Sequence, residues 1–551
     1  MPEQDLQAAM NAEGGSPPEA RVPATGRRGD QAGWPWEALI PAVVTFEVTL
    51  FEITRPSYWQ DEATTLADTE RTLPQLFALL GRTDAVHGTY YVLMWFVIRV
   101  AGTGEFAVRF PSAVAMAVAA GGIGLLGKRL VSRRAGLAAG LVFAVIPQVS
   151  FYGQNAREYA MVAAVATIAS YLFVRAVQAP EDARAVQATQ NARAVQAPRH
   201  ARGAQARQNA RRDRVNRWLV GYGISLAVLG LLNLFALLLI PAHALALAAR
   251  ARRDAAGEPP ADAAAHLLVR SWLMAVVAAL VVCSPVVFFG WRQRGQIGWL
   301  KAADLGDVIR LEKLIGPGTV LAAALIIIAA GIVVSATRGR TRLRADWPQR
   351  LVVLCVPWLV LPPAVLLAVS VAYPVYVFRY VVFCIPAAAL LVGTALAALG
   401  RAAGTLALIV VVALALPAQA AVRGPASHGE NLRAISQYLA EHAHRGDSVL
   451  FASFYERKIE IAYPAGFRKL RDISFGESAI TTNRAVAPNA PTAVISQRLA
   501  TVSRVWLVRR LRRREPGHRQ VLPPLVQLGF KLVLSKAISK YQVLLWVRTG
   551  N

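Results

Sequence analysis

The sequence predicts a polytopic α-helical membrane protein that ends in a small α/β domain. Of the 551 residues, 55% are hydrophobic and only 17% are charged, and the mean hydropathy is +0.40. A soluble chain of this length would carry more charge. Many apolar runs also reach the roughly 20 residues that a helix needs to cross the core of a bilayer.

The apolar runs predict eleven transmembrane helices. A further run, His87–Ala101, is short and ends in Gly-Thr-Gly, so we expect a juxtamembrane or re-entrant helix there. The predicted spans cover residues 35–54, 106–127, 135–152, 159–175, 218–231, 234–249, 267–289, 318–336, 351–371, 380–399 and 404–421.

Arginine-rich loops orient these helices, because cytoplasmic loops carry an excess of Lys and Arg. If His87–Ala101 does not cross, the basic loops share the side of the N-terminal arginines, which is then cytoplasmic. Residues 55–87 are expected outside a plasma membrane. The formal charge of +27 follows from this topology, and we expect no nucleic-acid partner, since the aromatic and basic pattern of single-strand binders is missing. The basic loops are Lys128–Arg134, Arg175–Arg217, Arg250–Arg253 and Arg338–Arg350.

Three segments outside the spans have distinct compositions. Residues 1–33 are polar and rich in Pro and Gly, which predicts a disordered tail. Residues 176–217 contain a nine-residue Ala/Gln/Arg repeat that cannot build a core, so we interpret them as a cytoplasmic loop. Residues 423–551 combine helical apolar spacing with strand-like runs, which predicts an extracytoplasmic α/β domain after the membrane domain of residues 34–422.

Polar residues gather at the outer ends of the predicted spans. Each has an ordinary explanation, since loop carboxylates are usually solvated and arginines anchor helices at the interface. Their convergence on one face favours function, because ionisable groups at a membrane are costly and mark functional sites. The residues are Asp61, Glu62, Asp84, His87, Arg109, Gln154, Arg157, Glu158, Arg379 and Tyr380.

This set suits transfer from an anionic, lipid-linked donor. A carboxylate can act as general base on an acceptor hydroxyl. Arg109, Arg157 and Arg379 can bind a phosphate and stabilise it as a leaving group. A carboxylate–histidine cluster also suits a divalent cation, for which Asp61, Asp84 and His87 are the candidate ligands. We assign no nucleotide, since the chain lacks a glycine-rich phosphate loop, and its three cysteines lie in apolar runs without metal-ligand spacing.

Five motifs stand out along the chain: WQDEA, DAVHGTYYVLMW, FAVRFPSAVA, FYGQNAREYAM and FRYVVFCIPAAALL. Together they resemble bacterial members of glycosyltransferase family 39, which are GT-C-fold membrane enzymes related to protein O-mannosyltransferases and aminoarabinose transferases. The likeness covers residues 34–401 and is closest to actinobacterial mannosyltransferases. It implies a polyprenyl-phosphate-linked sugar donor, catalysis on the extracytoplasmic face, inversion at the anomeric carbon, and a protein, glycan or lipid acceptor.

The resemblance also implies roles for individual residues. Asp61 matches the first acid of the catalytic pair and would be the general base, with Glu62 supporting it or contacting the acceptor. Glu158 matches an acid of the second outer loop, and Arg379 matches a late Arg-Tyr motif that faces the donor phosphate. The family's His-Pro-Pro element is His87–Thr89 here, a departure that alters the turn. The other candidates for contacts with substrate or cation are Asp84, Gln154 and Tyr380.

Two other functions are alternatives for a membrane protein with these polar residues. A transporter or flippase for a lipid-linked precursor would place polar groups near the bilayer midplane and show internal repeats. Here the polar groups lie at span ends, on one side. A non-catalytic scaffold for cell-envelope assembly would need no acid pair beside basic residues, although a degenerate family member would keep one.

Overall fold

The computed structural model describes residues 34–193, 201–256, 262–298, 300–337, 347–511 and 523–549. The predicted tail of residues 1–33 lies outside the described residues, as does part of the repeat-containing loop. Within the described residues, a helical bundle precedes a domain built on a five-stranded sheet. The predicted fold class is therefore confirmed.

Sixteen α-helices form the bundle within the described ranges. Two 3₁₀ segments, Ala85–His87 and Phe378–Cys384, carry residues of the site. The helices are α1 (Trp36–Leu50), α2 (Gln60–Thr69), α3 (Leu73–Leu80), α4 (Gly88–Ala101), α5 (Glu105–Leu130), α6 (Arg133–Val145), α7 (Pro147–Gly153), α8 (Tyr159–Arg193), α9 (Ala201–Leu232), α10 (Leu239–Ala256), α11 (Asp262–Arg292), α12 (Leu305–Ile309), α13 (Gly318–Thr337), α14 (Trp347–Ala372), α15 (Ile385–Leu399) and α16 (Arg401–Ala421).

Nine helices of the described chain are long and apolar enough to cross a membrane, and a bent pair makes ten. The sequence predicts eleven. The difference lies in the first predicted span, because α1 has only 15 residues and a left-handed residue, Glu52, follows it. The short apolar helix of residues 85–101 is present as predicted; that it does not cross remains a prediction.

The bent pair is α6 and α7, which meet at an angle of 66°. Pro147 explains the bend, because a proline disfavours the helical conformation of the residue before it. Ile146 accordingly has an extended backbone, with φ −66° and ψ 121°. The bend directs α7 toward the 154–158 loop, which carries three of the selected polar residues.

Small residues bring the first long helices into close contact. A Cβ added at Gly136 of α6 would lie 2.1 Å from the carbonyl oxygen of Gly124, and one at Gly124 of α5 would lie 1.9 Å from that of Glu37. Glycine at these positions lets the backbones approach, as small residues do in membrane helix packing. The beginning of α1, the end of α5 and the beginning of α6 are thereby held together.

The repeat-containing segment is helical where the structure describes it. Helix α8 continues to Arg193 and α9 begins at Ala201. Alanine, glutamine and arginine are strong helix formers, so a segment that cannot build a core still extends two membrane helices.

The C-terminal domain has an α/β fold with mixed strand directions. The elements are α17 (Leu432–His442), β1 (Ser448–Phe451), α18 (Lys458–Ala462), β2 (Arg471–Asp472), α19 (Thr492–Ala500), β3 (Arg504–Arg510), β4 (Phe530–Ile538) and β5 (Tyr541–Arg548). The sheet order is β2-β1-β3-β5-β4, in which β1 pairs parallel with β2 and β3, while β5 runs antiparallel to β3 and β4. All the strand-like runs expected from the sequence form strands.

The C-terminal domain contacts the bundle at α2, in the segment that connects α1 to α4. Helix α18 packs against α2, and Ala63 of α2 belongs to the same apolar cluster as Leu432, Ile435 and Ile459 of the domain. Burying these side chains removes apolar surface from water at roughly 25 cal/mol per Å². The C-terminal domain and α2 thus share one apolar core.

Candidate active site

Helix α2 carries both members of the acid pair in its first turn. Trp59 caps the helix with an extended backbone, at φ −119° and ψ 176°. Carboxylates are favoured in a first turn because the helix dipole is positive there. Successive helical residues point about 100° apart, so Asp61 and Glu62 face different surroundings: the Asp61 side chain is 29% exposed and that of Glu62 is fully buried.

Glu62 forms a buried, bidentate ion pair with Arg109 of α5. Arg109 Nε donates to Glu62 Oε1 and Nη2 donates to Oε2, both at 2.8 Å. The backbone N–H of Ala156 also donates to Oε1, at 2.9 Å. Glu62 therefore joins α2, α5 and the 154–158 loop, and its burial leaves it no surface for contact with an acceptor.

The surroundings of Arg109 favour a structural role over the phosphate-binding role predicted from the sequence. Its side chain is fully buried. Beyond the two bonds to Glu62, Nη1 donates to the carbonyls of Ile53 and Pro56, each at 2.8 Å. A charge in this setting is stabilised by its partners, so Arg109 holds the loop after α1 in place.

Gln154 also has a structural position, in contrast to its prediction as a substrate contact. Its side chain is fully buried. Nε2 donates to the carbonyls of Thr49 and Phe51, both at 2.8 Å. These carbonyls belong to the end of α1, where a helix leaves acceptors without intrahelical donors, so Gln154 completes that helix end.

Arg157, Glu158 and His87 form a second buried cluster. Arg157 Nε lies 3.3 Å from Glu158 Oε2, His87 Nδ1 lies 3.3 Å from Glu158 Oε1, and Arg157 Nη2 lies 3.1 Å from His87 Nε2. Because Arg157 can only donate, His87 Nε2 accepts, which leaves the ring proton on Nδ1 facing Glu158. Burial opposes the charge on Glu158, but Arg157 and His87 outweigh it and hold the pKa of Glu158 at about 2.

Arg379 approaches Asp61 from the far side of the bundle. It lies in the 3₁₀ segment before α15, and its Nη1 is 3.7 Å from Asp61 Oδ2. This separation is an ion pair without a hydrogen bond. The Arg379 guanidinium also lies about 6 Å from the rings of Trp59 and Tyr380. Both members of the pair are partly exposed, so a ligand can reach them.

Asp84 has no hydrogen bond or ion pair with the acid pair among the described residues, and no metal site is present there. Asp84 has a left-handed backbone, and its N–H donates to Gln296 Oε1 at 3.2 Å. Across the described ranges, no group of three His, Cys, Asp or Glu is arranged to hold a metal ion. The structure therefore gives no support to a cation held by Asp61, Asp84 and His87.

Several polar atoms beside Asp61 have no hydrogen-bond partner within the described residues. They include Trp59 Nε1, Arg379 Nε and both ring nitrogens of His428. His428 stacks on Trp59, with ring centroids 5.7 Å apart and planes at 11°, and burial lowers the pKa of His428 to about 3. Unpaired buried donors and acceptors are costly, so these atoms are suited to bind polar groups of a substrate.

Two charged residues near Asp61 were not among the site residues predicted from the sequence. Asp68 is fully buried, and burial together with the Asp84 carboxylate raises the pKa of Asp68 to about 7. Its spacing of seven residues from Asp61 on one helix was a usable signal. Lys458 comes from the C-terminal domain, and its Nζ donates to Thr64 Oγ1 at 2.7 Å. No local motif places Lys458 beside α2.

One segment of the chain matches a known protein family. Residues 89–187 match the model of a family described as dolichyl-phosphate-mannose-protein mannosyltransferase. The match covers α4 and most of α8, and it includes Arg157 and Glu158 but not His87. No curated protein sequence matches the chain significantly.

Two solved structures of ArnT from Cupriavidus metallidurans resemble the whole chain. The apo form aligns with a TM-score of 0.55 at 12% identity, covering 92% of this chain and 97% of ArnT. The form bound to undecaprenyl phosphate aligns with a TM-score of 0.53 at 13% identity, covering 94% and 98%. At sequence identities this low, the structural similarity establishes a shared fold and nothing more. The chain thus has the GT-C fold of a multi-pass membrane protein, and the resemblance drawn from its motifs is confirmed.

Proposed function

We propose that this GT-C-fold chain is an integral membrane glycosyltransferase that transfers a sugar from a polyprenyl-phosphate-linked donor to an acceptor hydroxyl. The observation that carries the proposal is the accessible pair of Asp61 and Arg379, separated by 3.7 Å. Glu62 and Glu158 are buried in ion pairs, whereas Asp61 keeps a free face. A base and a phosphate-binding cation therefore lie side by side.

The proposed reaction is a single displacement with Asp61 as general base. Asp61 takes the proton of the acceptor hydroxyl as that oxygen bonds to the anomeric carbon. The bond between the anomeric carbon and the phosphate oxygen breaks, and the polyprenyl phosphate leaves with the bonding pair. Attack from the face opposite the phosphate inverts the anomeric centre. Arg379 stabilises the negative charge that the phosphate gains.

Arg157 would support this step electrostatically, without contacting the substrate. Its side chain is only 6% exposed and is held by Glu158 and His87. We therefore assign to Arg157 a contribution to the positive potential around the donor phosphate. Arg379 would make the direct contact with that phosphate. Glu158 and His87 hold Arg157 in place, and Tyr380 packs against Phe235 with ring centroids 5.1 Å apart, which fixes the segment that carries Arg379.

The class of donor is supported by the comparisons. The similar ArnT structure contains undecaprenyl phosphate, and the matching family is named for dolichyl-phosphate mannose. Both are polyprenyl phosphates, and mannose is the candidate sugar. The direct test incubates the purified protein in liposomes with defined polyprenyl-phosphate sugars and an acceptor extract. Release of polyprenyl phosphate is expected, and its absence with every donor would refute the proposal.

Arg379→Ala is expected to weaken donor binding by about 10- to 100-fold, because a hydrogen bond to a charged group contributes roughly 1.5–3 kcal/mol. The measurement is the Kd for a polyprenyl phosphate in nanodiscs. Arg310→Ala is the matched control, since Arg310 is exposed and pairs only with the neighbouring Asp307 at 2.6 Å among the contacts described. A donor Kd unchanged by Arg379→Ala would leave Arg379 a packing role.

The proposed orientation predicts that the site faces outward. A cysteine at Arg82, exposed after α3, should react with a membrane-impermeant thiol reagent on intact cells. A cysteine at Arg134, exposed at the start of α6, should react only after permeabilisation. The native cysteines are all buried, which keeps the background low. Labelling of both positions from outside would overturn the topology.

A further inference from the structure

We propose that the C-terminal domain completes the active site by placing the Lys458 ammonium group on α2 between Asp61 and Asp68, where it positions both carboxylates. The inference rests on the proposed function, because it assigns Lys458 a role through the proposed base. Lys458 is a positioning residue: it acts on Asp61 and does not itself contact the sugar.

Helix geometry places Lys458 between the two acids. Residues 61, 64 and 68 share one face of an α-helix, because positions three and four apart lie above one another. Lys458 Nζ donates to Thr64 Oγ1 at 2.7 Å. Thr64 lies one turn from Asp61 on one side and one turn from Asp68 on the other, and a turn rises about 5.4 Å. The ammonium group is thereby within reach of both carboxylates.

The burial of Asp68 requires a compensating charge. Asp68 is fully buried, and neither of its carboxylate oxygens has a hydrogen-bond partner within the described residues. An unpaired buried carboxylate is costly. Lys458 is 8% exposed and is a nearby cation without a carboxylate bonded to it in the described contacts, so the acid and the lysine offset each other's desolvation.

The charges that face Lys458 come from several elements. Burial lowers the pKa of Lys458, and the charge of Arg157 lowers it further. The carboxylates of Asp61, Asp68 and Asp84 act in the opposite direction. The ring of Tyr455 lies 5.2 Å from Nζ. The three acids favour the charged form of Lys458 over the opposing arginine, and that charge attracts both carboxylates of α2.

The C-terminal domain is hydrogen-bonded to the beginning of α2, and these bonds hold Lys458 in its position beside the helix. The N–H of Gln60 donates to Glu430 Oε2 at 3.1 Å, and Gln60 Nε2 donates to the Tyr541 hydroxyl at 2.7 Å. The N–H of Tyr58 donates to the Tyr463 hydroxyl at 2.8 Å. Backbone and side chain on both sides of Trp59 are thus held by the C-terminal domain, immediately before the proposed base.

The test compares Lys458→Gln and Lys458→Arg with the wild-type protein in the full chain. Lys458→Gln is expected to lower kcat by roughly ten- to hundredfold, the cost of a misplaced catalytic group, while the donor Kd stays within about twofold. The acid limb of the pH–rate profile should move to higher pH, because loss of a cation makes the carboxylates easier to protonate. Lys458→Arg should restore most of kcat. Lys469→Gln is the matched control, since Lys469 is exposed in the same domain.

The outcomes separate this inference from the proposed function. Failure of the wild-type protein to consume any donor would refute the proposed function. Wild-type turnover with an unchanged kcat and pH profile in Lys458→Gln would refute only the role of Lys458. An infrared titration of the carboxyl stretch needs no turnover: Lys458→Gln should shift a buried carboxyl to higher pH, and Asp68→Asn should remove that signal. An unshifted carboxyl in the titration would overturn the inference.

Discussion

Asp61→Asn is expected to lower kcat by about 10²- to 10⁴-fold, the usual contribution of a general base. The amide has nearly the shape of the carboxylate, but it cannot accept the proton of the acceptor hydroxyl. Because Asp61 is partly exposed and lies 3.7 Å from Arg379 without a hydrogen bond, the substitution should leave the fold intact. Turnover is measured with purified protein and polyprenyl-phosphate sugar, alongside thermal unfolding.

Glu441→Gln serves as the control for this loss of charge. Glu441 is exposed on α17, so its replacement should change neither kcat nor the unfolding temperature. If Asp61→Asn retained near-normal kcat, Asp61 would not be the base, and the accessible pair would have to serve binding alone.

Arg109→Met should destabilise the protein by about 3–5 kcal/mol, because it leaves Glu62 buried without its partner. The ion pair is fully buried at 2.8 Å, and Arg109 also holds two carbonyls of the outer loop. Denaturant or thermal unfolding in detergent measures the loss. Adding Glu62→Leu to Arg109→Met should recover part of the stability, since the orphaned carboxylate is then removed as well.

Arg55→Met is the comparison for this effect. Arg55 and Glu52 are also an ion pair, at 2.7 Å, but one with 54% and 32% exposed side chains, and exposed pairs contribute about 0–1 kcal/mol. Equal unfolding free energies for Arg109→Met and Arg55→Met, combined with a weaker donor Kd for Arg109→Met, would contradict the structural role and return Arg109 to the phosphate site.

The membrane fold was predictable because hydrophobic length is a property of local sequence. Runs of about 20 apolar residues define spans whatever surrounds them. The first span was overestimated because apolar residues continue past Leu50, where the helix ends. The bend at Pro147 left its signal in the sequence, but a proline alone does not say whether a helix bends or stops.

The chemistry of individual polar residues was less predictable than their presence. Asp61 and Glu62 are adjacent and identical in charge, yet one is accessible and the other is locked to Arg109. That distinction depends on the rotation of α2 against α5, which no local pattern records. The convergence of Arg157, Glu158 and His87 was predicted by shared topology and lies within 3.3 Å in the structure. Lys458 required knowledge of how a distant domain docks.

The attachment of the C-terminal domain to α2 has a consequence for biosynthesis. Asp61 is translated about 400 residues before Lys458, and Tyr541 is made later still. At about 5–20 residues per second, Asp61 is made roughly 20–80 seconds before Lys458. During that interval the beginning of α2 lacks its contacts with the C-terminal domain. Activity is therefore expected only once the last strand has been made and has joined the sheet, so that a truncated chain, although inserted, stays inactive.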